Sequence, residues 1–191
     1  SREKFLTLEN SKDILGYTTK FREDPIYLDP RHKDLGARLI TNLEKLHLSL
    51  KLLELKSSNL DEYYSVSNKL GIPQINTDKL QNNLFGIECN LNELNGIDFK
   101  KGCYVGQENT ARIKLKDKLS KRLFPVEVIE GDLSKDNIIH HENTELGKVL
   151  INNKFPFAII KFKDKNFKFE KIFKCGNASV KIKKPYWFKF D

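Results

Sequence analysis

The clearest chemistry in the sequence lies in one short stretch, where Cys103 stands between Gly102 and Gly106. Lys101 precedes this group, and the segment 107–113 has the pattern of a helix beginning. Glycine permits backbone conformations and close approaches that other residues rarely allow. A thiol near a helix N-terminus and beside cations has a lowered pKa and a larger thiolate fraction. The stretch therefore predicts a reactive or ligand-binding cysteine.

A structural role is the alternative for this thiol, since free cysteines are mostly small buried hydrophobic residues. The neighbours of Cys103 are Lys, Gly, Tyr, Gly and Gln rather than an apolar run, and both interpretations stay open on the residues alone. Cys89 and Cys175 have no such setting and are predicted to be structural. The cysteines lie far apart, and only His140 and His141 are adjacent histidines, so no metal-finger spacing exists and no metal site is predicted.

The same stretch resembles the signature of the YgfZ-type proteins, folate-binding relatives of the glycine-cleavage T-protein that support iron–sulfur enzymes. Their pattern is Lys-Gly-Cys-aromatic-x-Gly-Gln-Glu-x-x-x-Arg, and every fixed position is present from Lys101 to Arg112. The resemblance implies a tetrahydrofolate as ligand and iron–sulfur assembly or client proteins as partners. Under it, Cys103 is the catalytic thiolate: a nucleophile, a redox handle or a transient iron or sulfur ligand.

The resemblance also implies cofactor-binding roles for the neighbours of the thiol. Lys101 and Arg112 would lower its pKa and attract an anion. Tyr104 would stack on a pterin ring, while Gln107 and Glu108 would bond the amide-like edge of that ring or cap the local helix. One charge-assisted hydrogen bond of this kind contributes roughly 1.5–3 kcal/mol, which orients a ligand but does not bind it alone.

Two function classes follow from the resemblance. The first is an accessory factor for assembly or repair of iron–sulfur proteins, without a well-defined turnover. The second is an aminomethyltransferase-like enzyme that moves a one-carbon unit to tetrahydrofolate. T-protein relatives generally lack the Lys-Gly-Cys-aromatic element, so the presence of Cys103 favours the first class.

A second landmark of the family is Gly71-Ile72-Pro73, usually preceded by an Arg that helps hold folate and by a Glu. Ser67 stands at the Arg position and Lys69 at the Glu position. The usual cation for folate is therefore replaced at this landmark.

A third similarity to the family is the stretch that begins at Asp29-Pro30-Arg31 and ends at Arg38. Pro30 fixes its own φ and biases Asp29 toward an extended backbone, which predicts a structured turn that enters a strand. We interpret Asp29 and Arg31 as residues that pin this turn.

Periodicity and turn signals predict the elements that hold the motif. Alternating leucines favour a strand at 45–53, although helical spacing fits equally well. Asn59 as N-cap and Gly71 as stop predict a helix between them. A second helix is predicted from Thr77, and residues 85–99 read as a loop-rich approach to the motif.

The C-terminal part predicts a barrel or sandwich, because short apolar runs are separated by polar turns. These runs are Leu123–Ile129, Leu146–Ile151, Phe157–Phe162, Phe167–Phe173 and Ala178–Ile182. His140 and His141 are assigned to a polar turn. The lysine–phenylalanine interleaving at 161–169 is typical of a strand with one buried face, with an RNA-stacking platform as the alternative. The fold class is α+β: residues 1–118 form the remainder of a T-protein-like folate-binding region, and 119–191 form a small antiparallel β-barrel.

Composition limits the partners and the compartment. The net charge is +8, carried by 28 Lys and only six Arg, whereas Arg dominates base and phosphate recognition, so no nucleic-acid partner is expected. No apolar run approaches the roughly 18 residues needed to cross a bilayer, and no membrane partner is expected. Three dispersed cysteines fit a reducing compartment, either the bacterial cytoplasm or the mitochondrial matrix. The start at Ser1 and the lack of methionine predict a fragment.

Overall fold

A computed structural model describes residues 2–102, 110–112, 119–133 and 137–189. The chain divides into two compact units. The N-terminal unit comprises Ser1–Val66 and Leu94–Gly96, and the barrel unit comprises Ser67–Glu93 and Ile97–Asp191. The boundary predicted at 118/119 falls beside residues outside the described ranges and stays a prediction, as does the T-protein-like character of residues 1–118.

The N-terminal unit is built around a three-stranded antiparallel sheet. Its strands are β1 (Thr18–Phe21), β2 (Asp24–Leu28) and β3 (Ala37–Leu39), in the order β1-β2-β3, and the helices α1 (Arg2–Leu6) and α2 (Leu43–Leu52) lie wholly within it. A short 3-10 helix, Lys33–Leu35, lies between β2 and β3. The apolar core of the unit is small and centres on the buried side chains of Phe5, Ile26 and Leu28.

Helix α2 corrects the strand predicted at 45–53. The side chain of Asn42 caps the helix, since its Oδ1 accepts a hydrogen bond from the Lys45 backbone N–H at 2.9 Å. The residue buried in mid-helix is Ser49, whereas Leu48 and Leu52 are exposed. The alternation of leucines therefore does not mark a buried face, and the prediction of a strand was wrong.

Helix α3 (Leu60–Lys69) confirms the helix predicted between Asn59 and Gly71. Asn59 Oδ1 accepts a hydrogen bond from the Glu62 backbone N–H at 2.9 Å, as an N-cap does. After the helix, Gly71 takes a positive φ of 70°. The predicted helix from Thr77 is a single 3-10 turn, Thr77–Leu80, and residues 85–99 contain turns rather than strands or helices, as predicted.

The barrel unit contains a closed antiparallel barrel, which confirms the predicted barrel. The order around it is β4-β7-β6-β5-β8-β9, and β4 closes it by pairing with both β7 and β9. The strands are β4 (Arg122–Glu130), β5 (Ile138–His141), β6 (Thr144–Ile151), β7 (Phe157–Ile160), β8 (Ile172–Cys175) and β9 (Ala178–Ile182).

Two details of the predicted barrel were wrong. His140 and His141 lie in β5 rather than in a turn, and His140 is paired in register with Glu145 of β6 and Lys174 of β8. The strand predicted at 167–173 begins only at Ile172. Phe167 and Phe169, which precede this strand, pack their rings into the barrel core and do not pair with another strand.

An aromatic cluster fills this core. Phe124 meets Phe169 and Phe188 edge-to-face with ring centroids 5.1 and 5.0 Å apart, and Phe167 stacks on Phe173 at 5.7 Å. Phe162 and Phe167 are buried although neither lies in a strand, so their rings are not presented for base stacking. The lysine–phenylalanine segment thus buries the side chains of Phe162 and Phe167, as expected, but it forms a turn-rich connection rather than the predicted strand.

Candidate functional site

Three members of the cysteine motif fall within the described residues. Lys101, Gly102 and Arg112 are exposed, and residues 110–112 have helical backbone. Cys103, Tyr104, Gln107 and Glu108 lie outside the described residues, so the predictions made for them remain predictions. The structure therefore describes the two ends of the motif but not the cysteine itself.

Both flanks of the motif are fixed to the barrel core. On the N-terminal side, Ile97 and Phe99 pack against the core cluster, and Asp98 Oδ1 accepts a hydrogen bond from the Lys100 backbone N–H at 2.8 Å. On the C-terminal side, Leu119 is buried in the same cluster just before β4. The described residues on the two sides of the motif thus pack on the same apolar core.

Gly102 does not owe its identity to crowding. A Cβ atom added there would meet no atom of the described residues within 4 Å, and its φ is not in the left-handed region. The steric argument for glycine in the motif therefore rests on Gly106, which lies outside the described residues.

The other two cysteines are built as structural residues, as predicted. Cys175 is fully buried in the barrel core. Cys89 packs against the apolar side chains around Leu123, and burial raises the pKa of its thiol to about 11, with the nearby Glu88 carboxylate adding to the effect. At neutral pH Cys89 is a thiol rather than a thiolate, so it is a poor nucleophile.

A buried polar network connects the loop at residues 85–99 to strand β4. The sequence did not predict this network. Asn90 Nδ2 donates to the Leu123 carbonyl at 2.8 Å, and its Oδ1 accepts from Arg122 Nη1 at 3.0 Å. Arg122 also forms an ion pair with Glu93 at 2.6 Å. Asn90 has a positive φ of 63°, which asparagine tolerates better than most residues. The only signal in the sequence was an asparagine in a turn-rich stretch.

The Gly71-Ile72-Pro73 landmark has a packing function in this structure. A Cβ atom on Gly71 would lie 2.8 Å from Pro185 Cγ, and Trp187 Nε1 donates to the neighbouring Leu70 carbonyl at 2.9 Å. The C-terminal tail of the barrel unit thus packs directly on this turn. Ser67, at the family's arginine position, is buried and presents no cation.

Asp29 forms the centre of the most developed polar cluster in the N-terminal unit. Its carboxylate is buried and accepts hydrogen bonds from the Arg31 backbone N–H, from the Arg31 side chain and from Arg38 Nε. Burial alone would raise the pKa of Asp29, but these hydrogen bonds outweigh it and hold the pKa at about 2. The predicted pinning of the turn is confirmed. Tyr63, whose hydroxyl accepts from both arginines, was missed.

One cavity of about 270 Å³ opens in the N-terminal unit, lined by Arg2, Asp13, Leu15, His32 and Lys33. Arg2 Nε donates to Asp13 at 2.9 Å, so the charge of this cation is already paired. Burial lowers the pKa of His32, and its Nδ1 accepts a hydrogen bond from the Asp34 backbone N–H. The lining therefore offers polar contacts but no nucleophile paired with a base.

Across the described ranges, no three His, Cys, Asp or Glu side chains are grouped as a metal ion would require. Within the same ranges, no helix has the length and apolar character needed to cross a membrane.

Comparison with known proteins finds several relatives that share one name. No protein-family model matches the chain. The chain is 34% identical over 115 residues to a mitochondrial iron–sulfur cluster assembly factor IBA57 homolog of Dictyostelium discoideum, which covers 60% of this chain and 28% of that protein. It is 36% identical over 110 residues to the mitochondrial iron–sulfur cluster assembly factor IBA57 of Mus musculus, which covers 58% and 30%.

The human mitochondrial protein of the same name is 35% identical over 102 residues, which cover 53% of this chain and 28% of the human protein. The chain thus spans less than a third of the length of these three relatives. It is similar to a part of iron–sulfur cluster assembly factors.

Proposed function

We propose that this chain belongs to a protein that acts in the assembly or repair of iron–sulfur proteins. The observation that carries the proposal is the 34–36% identity to three mitochondrial proteins named as iron–sulfur cluster assembly factors. Their names favour an accessory factor over the aminomethyltransferase-like alternative, and the word mitochondrial in them favours the mitochondrial matrix if the protein is eukaryotic. Its partners are then iron–sulfur assembly or client proteins.

Cys103 is the proposed reactive thiol. The contrast with Cys89 and Cys175 supports this choice, because both of those thiols are packed among apolar side chains. Lys101 and Arg112 are exposed cations on either side of Cys103 in the sequence, and cations favour the thiolate form. In this role the thiolate attacks an electrophile, changes redox state or holds iron or sulfur transiently.

Tetrahydrofolate is the proposed ligand of the motif, and the described residues fit it only in part. The exposed cations Lys101 and Arg112 could pair with the carboxylates of a folate tail, since oppositely charged groups attract across a solvated surface. Ser67, by contrast, is buried and supplies no cation at the family's arginine position. The remaining proposed contacts are those of Tyr104, Gln107 and Glu108.

Alkylation kinetics test the thiol. Limited iodoacetamide at pH 7.5, followed by peptide mass spectrometry, should label Cys103 at least about ten times faster than Cys89, because only thiolates react. The variant Cys89→Ala is the control and should leave the rate at Cys103 unchanged. Equal rates at all three cysteines in the folded chain would refute an activated Cys103.

A rescue experiment tests the function. In cells that lack the gene, the complete gene product should restore the activity of iron–sulfur enzymes, and Cys103→Ala should abolish that rescue. The matched variant Cys89→Ala should rescue fully at the same protein level. Full rescue by Cys103→Ala would return this cysteine to a structural role.

Calorimetric titration with tetrahydrofolate tests the ligand. Arg112→Gln should weaken binding about five-fold or more if it pairs with a carboxylate, whereas Lys148→Gln, which removes an equal exposed charge from β6, should have little effect. Equal affinity for both variants would remove Arg112 from the site.

A further inference from the structure

Arg31 and Arg38, here called the arginine pair, are held side by side by two shared oxygen atoms. Asp29 Oδ2 accepts from Arg31 Nη2 at 2.9 Å and from Arg38 Nε at 2.6 Å. The Tyr63 hydroxyl accepts from Nη2 of the same two residues, at 3.3 and 2.6 Å. Two guanidinium groups are therefore fixed close together, although like charges repel.

The charge of this cluster is not balanced within it. Asp29 contributes one negative charge and the arginine pair contributes two positive charges, since arginine stays protonated in proteins. Asp29 is 1% exposed, whereas the side chains of Arg31 and Arg38 are 28% and 40% exposed. The negative charge is thus buried, and the excess positive charge reaches solvent.

The arginine pair also has unused hydrogen-bond donors. A guanidinium group has five N–H donors in a planar fork. Arg31 uses Nε and Nη2, and Arg38 uses the same two nitrogens, so neither Nη1 group has an acceptor among the described residues. The bonds to Asp29 and Tyr63 fix both side chains, so a ligand that binds there orders little further structure.

We infer that the arginine pair is a binding site for a small oxyanion, either a carboxylate or a phosphate group. Such a group offers oxygen atoms in the geometry that guanidinium forks bind, and its negative charge matches the excess charge of the cluster. Because the side chains are partly exposed, the interaction is screened and weakens as salt rises. This inference does not depend on the proposed iron–sulfur function.

Titration of the whole chain, labelled with ¹⁵N, tests the site. Sodium phosphate and sodium acetate are added in separate series at constant ionic strength, and the arginine Nε–H signals are followed. We expect a saturable shift at Arg31 and Arg38 in at least one series, and the stronger series identifies the oxyanion. The shift should be absent or unsaturable at Arg22, which donates to the Lys45 carbonyl and to Ser49 Oγ.

Variants separate fork recognition from general charge. Arg38→Lys keeps the charge but loses the planar fork, and it should weaken binding about five-fold or more. Lys20→Gln removes one exposed positive charge elsewhere in the N-terminal unit and should leave the affinity nearly unchanged. If Arg38→Lys does not fold, Arg31→Lys tests the same fork from the other side.

Three results would overturn the inference. One is the absence of a saturable shift in both anion series for the folded wild-type chain. Another is unchanged binding in a folded Arg38→Lys or Arg31→Lys variant. The third is an equal loss of affinity in Lys20→Gln, which would reduce the effect to net charge.

Discussion

The two units of this chain are stabilised by different kinds of interior. The barrel unit closes its sheet, so that β4 pairs on both sides, and fills it with aromatic and aliphatic side chains. The N-terminal unit has a small apolar core centred on Phe5, Ile26 and Leu28. Beside that core, the buried Asp29 accepts ionic hydrogen bonds from Arg31 and Arg38.

The two sheets also differ in their free edges. A closed barrel has no free edge, whereas a three-stranded sheet has two, and β1 and β3 pair on one side only among the described residues. The N-terminal unit also exposes large apolar side chains, with Ile40, Leu43 and Leu60 each more than 60% exposed. The barrel unit should therefore be the more stable of the two, and its stability should depend on packing rather than on charge.

The largest expected effect is at the centre of the barrel. Phe124 is fully buried and contacts two other rings, so Phe124→Ala should lower the free energy of unfolding of the barrel unit by about 3–5 kcal/mol. Chemical denaturation followed by Trp187 fluorescence measures the change. Phe85→Ala is the control, because Phe85 is half exposed and its loss should cost little. Similar losses for both variants would contradict a core that depends on packing.

The second expected effect is a pH dependence of stability that is specific to the N-terminal unit. Since the folded pKa of Asp29 is about 2 rather than the ordinary 3.8, its ionised form stabilises the N-terminal unit. This contribution, about 2 kcal/mol, is present above the ordinary pKa of 3.8 and is lost as the pH falls through 2. Asp29→Asn should be less stable at pH 6 and should lose this part of the acid dependence.

Amide hydrogen exchange resolved by unit measures that dependence. Glu9→Gln, which changes an exposed carboxylate in the same unit, should retain the wild-type profile between pH 4 and 2. An unchanged acid profile in Asp29→Asn would show that the ionic network does not stabilise the unit.

A third, smaller effect compares two glycines. Gly71→Ala places a Cβ atom 2.8 Å from Pro185 in a left-handed backbone, and it should cost about 1–2 kcal/mol in the stability of the barrel unit. Gly102→Ala meets no atom of the described part of the chain within 4 Å and should change stability by less than about 0.5 kcal/mol. Thermal unfolding of the two variants compares them directly. A larger loss for Gly102→Ala would mean that the motif glycine has a structural function after all.

The sequence was most informative where a local signal decides the structure. The N-cap Asn59 and the left-handed Gly71 mark the two ends of α3 by signals that the local sequence carries. The barrel followed from apolar runs between polar turns, although buried and more exposed side chains alternate regularly only in strands such as β8 and β9. The prediction of a strand failed at 167–171. Phe167 and Phe169 are apolar there because their rings pack on other rings, and neither residue pairs with a strand.

The two polar sites also differ in how far the sequence alone could predict them. The motif around Cys103 is contiguous, so its spacing alone singles it out. The cluster around Asp29 is not contiguous, since Tyr63 lies 25 residues beyond Arg38 and 32 beyond Arg31. No periodic pattern links a tyrosine on α3 to a turn before β3. Only the fold of the N-terminal unit brings these residues together.

The smallest predicted effect concerns α2, where sequence periodicity could not choose between strand and helix. Asn42→Ala removes the acceptor for the Lys45 backbone N–H and should lower the stability of the N-terminal unit by about 1 kcal/mol. Asn42→Asp keeps an acceptor and should be nearly neutral. Hydrogen exchange at residues 45–53 measures both variants, and equal protection in Asn42→Ala and wild type would show that the cap does not decide the helix. A loss confined to Asn42→Ala would show that one capping side chain outweighs the period-2 pattern of the leucines.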